Sequence, residues 1–176
     1  MIEKLGTIPL PPYINNQDIK NTDRYQTVYA TDTLLSAAAP TAGLHFSEDI
    51  FKTLNQKGIE KVELSLQIGL GTFQPIRVDN INEHNMHSEQ WIISNDAANS
   101  INYAKANHKR ILSVGTTVTR TLESAYLTRD DKKSSKINPG SNWTDLFIKP
   151  GFKFNVIDML LTNFHLPKST LLVLLS

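Results

Sequence analysis

The sequence predicts an α/β fold: a layered domain with a mostly parallel sheet flanked by helices. Three observations support it. Residues 61–126 alternate strand-like and helix-like stretches at the spacing of βαβ units. The chain has 176 residues, 40% of them hydrophobic and 20% charged, which suits one globular domain with a real core. Residues 110–126 (RILSVGTTVTRTLESAY) read as strand, glycine turn and helix. There Ile111, Leu112 and Val114 form an apolar run ending at Gly115, and Thr116 or Thr117 can cap a helix whose apolar face is Val118, Leu122, Ala125 and Tyr126. Such a junction aims free backbone N–H groups and a positive helix end at the carboxyl edge of the sheet, where ligands bind in open α/β folds. Arg120 and Glu123 fall on the first turns, within reach of such a ligand. An ordinary strand–helix connection with a surface Arg–Glu pair accounts for the same residues.

In chain order, residues 7–13 are extended, because Pro9, Pro11 and Pro12 remove donors and disfavour helix. Residues 14–22 are polar, a loop or short helix, and 25–30 (YQTVYA) are β-prone. The small residues of AAAPTAGLHF (37–46) suit a backbone that approaches a ligand or another segment closely. Ser47 caps a helix over 48–57, with Glu48 and Asp49 in its first turn, Gly58 beyond it, and Ile50, Phe51 and Leu54 inward. Alternation of Val62, Leu64, Leu66 and Ile68 makes 61–68 a strand, which runs into the glycine loop 69–75. An irregular stretch, 76–87, precedes a strand at 88–94. Asn95 then caps a helix over 96–107 with Ala97, Ile101 and Ala104 inward. Beyond residue 126, the charged, Ser-rich stretch 128–142 is expected to be a mobile loop. A short strand at 146–148, a turn at 150–154, an apolar run at 156–161 and a last helix from Lys168 or Ser169 complete the chain.

A net charge of +1 announces no nucleic-acid partner, so any RNA contact must use a local patch. The absence of cysteine excludes disulfides, zinc–thiolate sites and thiol catalysis. The first residues lead into prolines rather than an apolar leader, and no apolar run is long enough to span a bilayer. A cytoplasmic location without membrane contact is expected. The chain opens on loop-like sequence and stops inside the apolar TLLVLLS, so 1–176 reads as a single α/β domain that is a fragment truncated at both ends.

The histidines concentrate in loops. His84 and His87 form H-x-x-H, which with His165 or Glu89 could hold a metal; no helical HExxH context supports this, and a polar loop is the commoner origin. His45, after Gly43 and Leu44, can be a general acid/base or a satisfied turn residue. His165 follows Asn163 in TNFHLPKS, where turn structure explains Pro167 and Ser169 but neither Asn163 nor His165. His108 lies in the basic helix end KANHKR, explained by dipole pairing or by contact with RNA phosphates.

Taken together, these loops resemble the S-adenosylmethionine:tRNA ribosyltransferase-isomerases of queuosine biosynthesis. The matching stretches are IPLPPYI (8–14), DRYQTVYA (23–30), AAPTAGLHF (38–46), GLGTFQPIRVD (69–79), HNMHSE (84–89), VGTTVTRTLESA (114–125), PGFKFNVID (150–158) and LLTNFHLPKSTLL (160–172). They occur in family order over nearly the whole chain. The resemblance implies that the ribosyl part of S-adenosylmethionine is transferred to 7-aminomethyl-7-deazaguanine in tRNA and isomerised to an epoxycyclopentane, giving epoxyqueuosine. Adenine and methionine leave, so S-adenosylmethionine is a consumed substrate, and neither a cofactor nor a metal is expected.

That chemistry needs a base beside the sulfonium centre, an acid for adenine departure and polar groups on the ribose. His45, His87 or His165 can serve as acid/base groups, with Glu89 or Glu123 as a partner for a histidine or a positive charge. Arg120, helped by the Thr116 and Thr117 backbone, can hold the methionine carboxylate or an RNA phosphate, and Asn163 can bond adenine or ribose. Gln67 stands where the family pattern has a histidine. Family members are about twice as long, with a β-barrel domain and a further carboxyl-terminal continuation that this sequence lacks, so a separately encoded amino-terminal half is a possible partner. A non-catalytic remnant of a split gene and a stand-alone tRNA-binding module are the alternatives; the near-zero charge counts against the second. The chain alone is expected to release no adenine from S-adenosylmethionine with precursor tRNA present. Chromatographic detection of free adenine checks this.

Overall fold

In the computed structural model, which describes residues 25–30, 36, 38–69 and 76–176, the chain is organised around two small sheets rather than one. In chain order the elements are α1 (Glu48–Gln56), β1 (Ser65–Gln67), β2 (Glu89–Ile93), α2 (Asn95–Ala106), β3 (Leu112–Val114), α3 (Thr116–Leu127), β4 (Gly140–Thr144), β5 (Met159–Leu161) and α4 (Thr170–Leu174), with 3-10 turns at Thr41–His45 and Ile81–Glu83. β2 lies between β1 and β4, antiparallel to both. β3 and β5 pair in parallel, Ser113 opposite Leu160. The expectation of a mostly parallel sheet is therefore corrected: mixed α/β holds, but among the described residues only the β3–β5 pair is parallel. The alternation of strands and helices is present, yet α2 hands the chain from one sheet to the other instead of crossing over. Among the described residues no helix is long and apolar enough to cross a membrane.

Local chemistry accounts for most boundaries. Ser47 Oγ accepts the Ile50 N–H at 3.3 Å and starts α1, while Gly58 (φ 71°) follows its end. The expected inward face of α1 does not reach the core: Ile50 is 41% exposed, and Phe51 stacks locally on Phe46 at 5.2 Å. Ser94 rather than Asn95 caps α2, its Oγ accepting the Ala97 N–H at 3.1 Å. Residues 25–30 form a turn, closed by the Ala30 N–H on the Thr27 carbonyl at 3.0 Å, with Tyr25 and Thr27 buried.

No strand forms at 146–148, because β4, immediately upstream, takes the free side of β2; Ile148 is buried all the same. β4 begins inside the stretch expected to be a mobile loop. That stretch is also anchored at Ile137, which is 1% exposed and exchanges two 2.9 Å hydrogen bonds with the Asn102 side chain. The proline run 7–13, the polar 14–22, the IPLPPYI motif and most of the glycine loop (70–75) lie outside the described residues.

Trp91 and Ile93 of β2, Ala97, Ala98 and Ile101 of α2, Leu122 and Ala125 of α3, Ile137 and Val156 form the core. α3 also buries polar groups, and Glu123 is the most consequential. Its carboxylate accepts the N–H groups of Asn155 (2.8 Å), Val156 (2.8 Å) and Ile157 (3.2 Å), and the Asn155 side-chain amide at 3.3 Å. Fully buried and taken up by four internal donors, Glu123 holds the chain entering β5 rather than facing a ligand. Asp158 continues the tether, its Oδ2 accepting the Ile111 N–H at 2.7 Å. Glu123→Ala, which strands several buried donors, should lower unfolding free energy by about 3 kcal/mol. Glu123→Gln, which keeps an acceptor, should cost less. Urea unfolding followed by circular dichroism measures both.

Candidate functional site

Gly115 sets the site. It occupies the cap position of α3 at φ 97°, a conformation side chains disfavour. A Cβ there would meet Thr117 Oγ1 at 3.4 Å and Ala42 Cβ at 3.8 Å. Having no side chain, it leaves the start of α3 without a side-chain cap. Thr116 and Thr117 are thus the first helical residues, not caps as expected. Ser113 steadies the turn, its hydroxyl 3.0 Å from the Gly115 carbonyl and 2.9 Å from Thr119 Oγ1.

The Gly115 N–H donates to the Leu161 carbonyl at 2.8 Å, continuing the β3–β5 ladder by one rung. Parallel pairing places both carboxyl ends on one edge, so the loop after β5 meets the start of α3. A cleft opens there. Thr116, Thr117, Arg120, Asn163 and His165 all line it, with Ala38, Ala39, Pro40, Thr41 and Ala42 from the small-residue stretch. Gly43 explains the close approach: a Cβ on it would lie 1.8 Å from the Tyr29 hydroxyl oxygen and 3.0 Å from Thr27 Cγ2. Burial raises the Tyr29 phenol above its ordinary range.

His45, exposed at the end of its 3-10 turn, joins the site through a 2.8 Å hydrogen bond between Nε2 and Asn163 Oδ1, across 118 positions of sequence. The His165 ring sits 3.0 Å from Thr162 Oγ1, and partial burial lowers its pKa below the ordinary 6.5, since desolvation disfavours the imidazolium. Arg120 is 3% exposed, not a surface residue. Its Nε donates to the Leu146 carbonyl at 3.0 Å and its Nη1 to the Glu89 carboxylate, itself buried. Nη2 has no partner among the described residues.

Not every predicted residue converges. Glu89 pairs with Arg120, and Glu123 is committed to residues 155–157. His87, exposed just before β2, neither lines the cleft nor hydrogen-bonds to the described residues. The His84 ring stands edge-on to Phe147 at 5.4 Å, and among the described residues no three His, Asp or Glu side chains gather as a metal site. His108 is exposed at φ 52° beyond the end of α2. Phe164, wholly exposed and on the cleft, was missed by sequence reasoning, which weighed only its polar neighbours Asn163 and His165. An aromatic flanked by two such groups in a loop was the available signal.

Comparison with known proteins gives three findings. A family model described as queuosine biosynthesis protein matches residues 1–176. A protein of Desulfitobacterium hafniense (strain DSM 10664 / DCB-2) named S-adenosylmethionine:tRNA ribosyltransferase-isomerase is 48% identical over 176 residues, covering 100% of this chain and 50% of that protein. The crystal structure of an S-adenosylmethionine tRNA ribosyltransferase from Thermotoga maritima superimposes with a TM-score of 0.57 at 32% identity, covering 76% of this chain and 39% of that one. The chain thus spans about half the length of the curated relative it matches.

Because its pKa is depressed, His165 should titrate below the ordinary histidine midpoint, observable by NMR of its ring protons. The neutral ring is favoured in the folded state, so its contribution is complete above the unfolded pKa of about 6.5 and is lost as pH falls through the lower folded value.

Proposed function

The chain belongs to the queuosine biosynthesis family, and from that premise we propose that its cleft forms part of the site that transfers and isomerises the ribosyl moiety of S-adenosylmethionine onto 7-aminomethyl-7-deazaguanine in tRNA. The observation that carries this reading is the convergence of three separated motifs. AAPTAGLHF, VGTTVTRTLESA and LLTNFHLPKSTLL meet at one carboxyl edge, and His45 bonds Asn163 across it. No second reading draws comparable support from a particular contact.

The residues suit the steps. The reaction takes a proton from the carbon beside the sulfonium, returns one to departing adenine, and must hold the ribose while both leaving groups separate. His165, kept neutral by burial, is ready to accept a proton at neutral pH. His45, bonded to Asn163 and open to solvent, can exchange protons with bulk water and assist adenine departure. Asn163 offers its amide to ribose or adenine, and Phe164 presents a ring face on which a base can stack. S-adenosylmethionine enters as a consumed substrate. A tRNA substrate implies work in the cytoplasm, and the remainder of the site is proposed to come from the portion of the relative this chain does not match, in the same or a separate polypeptide.

A chimera tests the reading: these 176 residues replace the matching half of the Desulfitobacterium protein. Expected is adenine release that depends on tRNA carrying the aminomethyl base, falling by about 100-fold or more with His165→Ala, as loss of a general acid/base demands. A folded chimera that releases no adenine, or one indifferent to His165→Ala, would sink the proposal.

A further inference from the structure

Arg120 carries more information than family membership does. Its guanidinium has three nitrogens, two of which the fold consumes: Nε on the Leu146 carbonyl and Nη1 on Glu89. Nη2 is left buried without a partner among the described residues, on a residue only 3% exposed that lines the cleft. A buried N–H without an acceptor costs about 1–3 kcal/mol, so such a group persists where something else satisfies it. The neighbouring feature points the same way. α3 runs from Thr116 to Leu127 and starts with no side-chain cap, leaving N–H groups and a positive helix end beside the same cleft. These are two independent donor sets on one spot.

We propose that Arg120 Nη2 and the uncapped first turn of α3, at Thr116 and Thr117, form the subsite for a terminal carboxylate, that of the amino-acid end of S-adenosylmethionine. The inference rests on the functional reading above and resolves which anion Arg120 takes. An RNA phosphate is a diester with chain on both sides, and it reaches a guanidinium this buried poorly. A carboxylate at the end of a flexible chain, smaller and tethered on one side only, suits so enclosed a donor better. Glu89 already balances the charge of Arg120, so recognition comes from directed N–H donors rather than from net attraction. The Leu146 carbonyl and Glu89 hold the planar fork, leaving one edge for the ligand. With the carboxylate held there, the sulfonium and sugar lie toward Asn163 and His165 on the same cleft.

The test uses two sulfonium ligands on the unaltered 176-residue chain, S-adenosylmethionine and its decarboxylated analogue, each measured by equilibrium dialysis. The expected result is at least about tenfold weaker retention of the analogue, the size of one charge-assisted hydrogen bond. Arg120→Lys, which keeps the charge but loses the fork, should erase most of that preference while both ligands still bind. Should Arg120→Lys not fold, the ligand pair on the unaltered chain decides alone. Equal binding of the two ligands overturns the subsite and makes Nη2 a donor to a neutral acceptor. Retention of neither overturns the subsite on this chain, and the chimera alone then decides the functional reading. A clear preference together with a folded but inactive chimera keeps the subsite and rejects the reaction.

Discussion

The site depends on one constraint, that β3 and β5 run side by side in the same direction. The rung from Gly115 to Leu161 closes this pair at its carboxyl end. Everything chemical about the cleft follows from which way those two short strands point. Had they been antiparallel, the loop carrying Asn163 and His165 would leave from the far edge, away from the start of α3. Only three residues of each strand pair, so the geometry needs reinforcement. It comes from backbone bonds between Ile111 and residues 158–159, and from the Glu123 carboxylate clasping the chain just before.

The Arg120–Glu89 pair joins what the two sheets keep apart. Glu89 opens β2 in the antiparallel sheet, and Arg120 lies on the helix that leaves the parallel pair. A buried ion pair contributes little net stability, because desolvation offsets most of its attraction, but losing one partner is costly. Its effect is to fix the orientation of α3 relative to β2. The same side chain therefore does two things: it locks the frame and, on a residue that lines the cleft, keeps one nitrogen without a partner among the described residues.

Much of this was legible in the sequence, for local reasons. The strand–glycine–helix reading of 110–126 rests on neighbouring residues, and so do the Ser47 cap and a last helix starting from Lys168 or Ser169; each holds in the structure, where Ser169 caps that helix. Thr116, Thr117, Arg120, Asn163 and His165 do share one cleft. What failed was non-local. Alternating strands and helices look the same whether a helix returns the chain beside its first strand or delivers it to another sheet. Glu123 looked available because its partners stand 32 to 34 positions away, and backbone N–H groups leave no trace in side-chain patterns. The stretch 128–142 is too polar and charged to read as anything but a loop, yet its last residues join β4, because hydrogen bonding to β2 asks only for backbone.

The Asn102–Ile137 clasp has a consequence for latitude along the chain. The helix end at Thr128 and the pinned Ile137 fasten both ends of the intervening turn, independently of its length. The entropic cost of closing a longer loop between fixed ends grows only slowly with added residues. Extra sequence spliced near Lys132 and Lys133, such as an epitope or a dye-bearing turn, would replace local bonds, those of Arg129 to the Lys132 and Ser134 carbonyls, and leave the Asn102–Ile137 clasp in place.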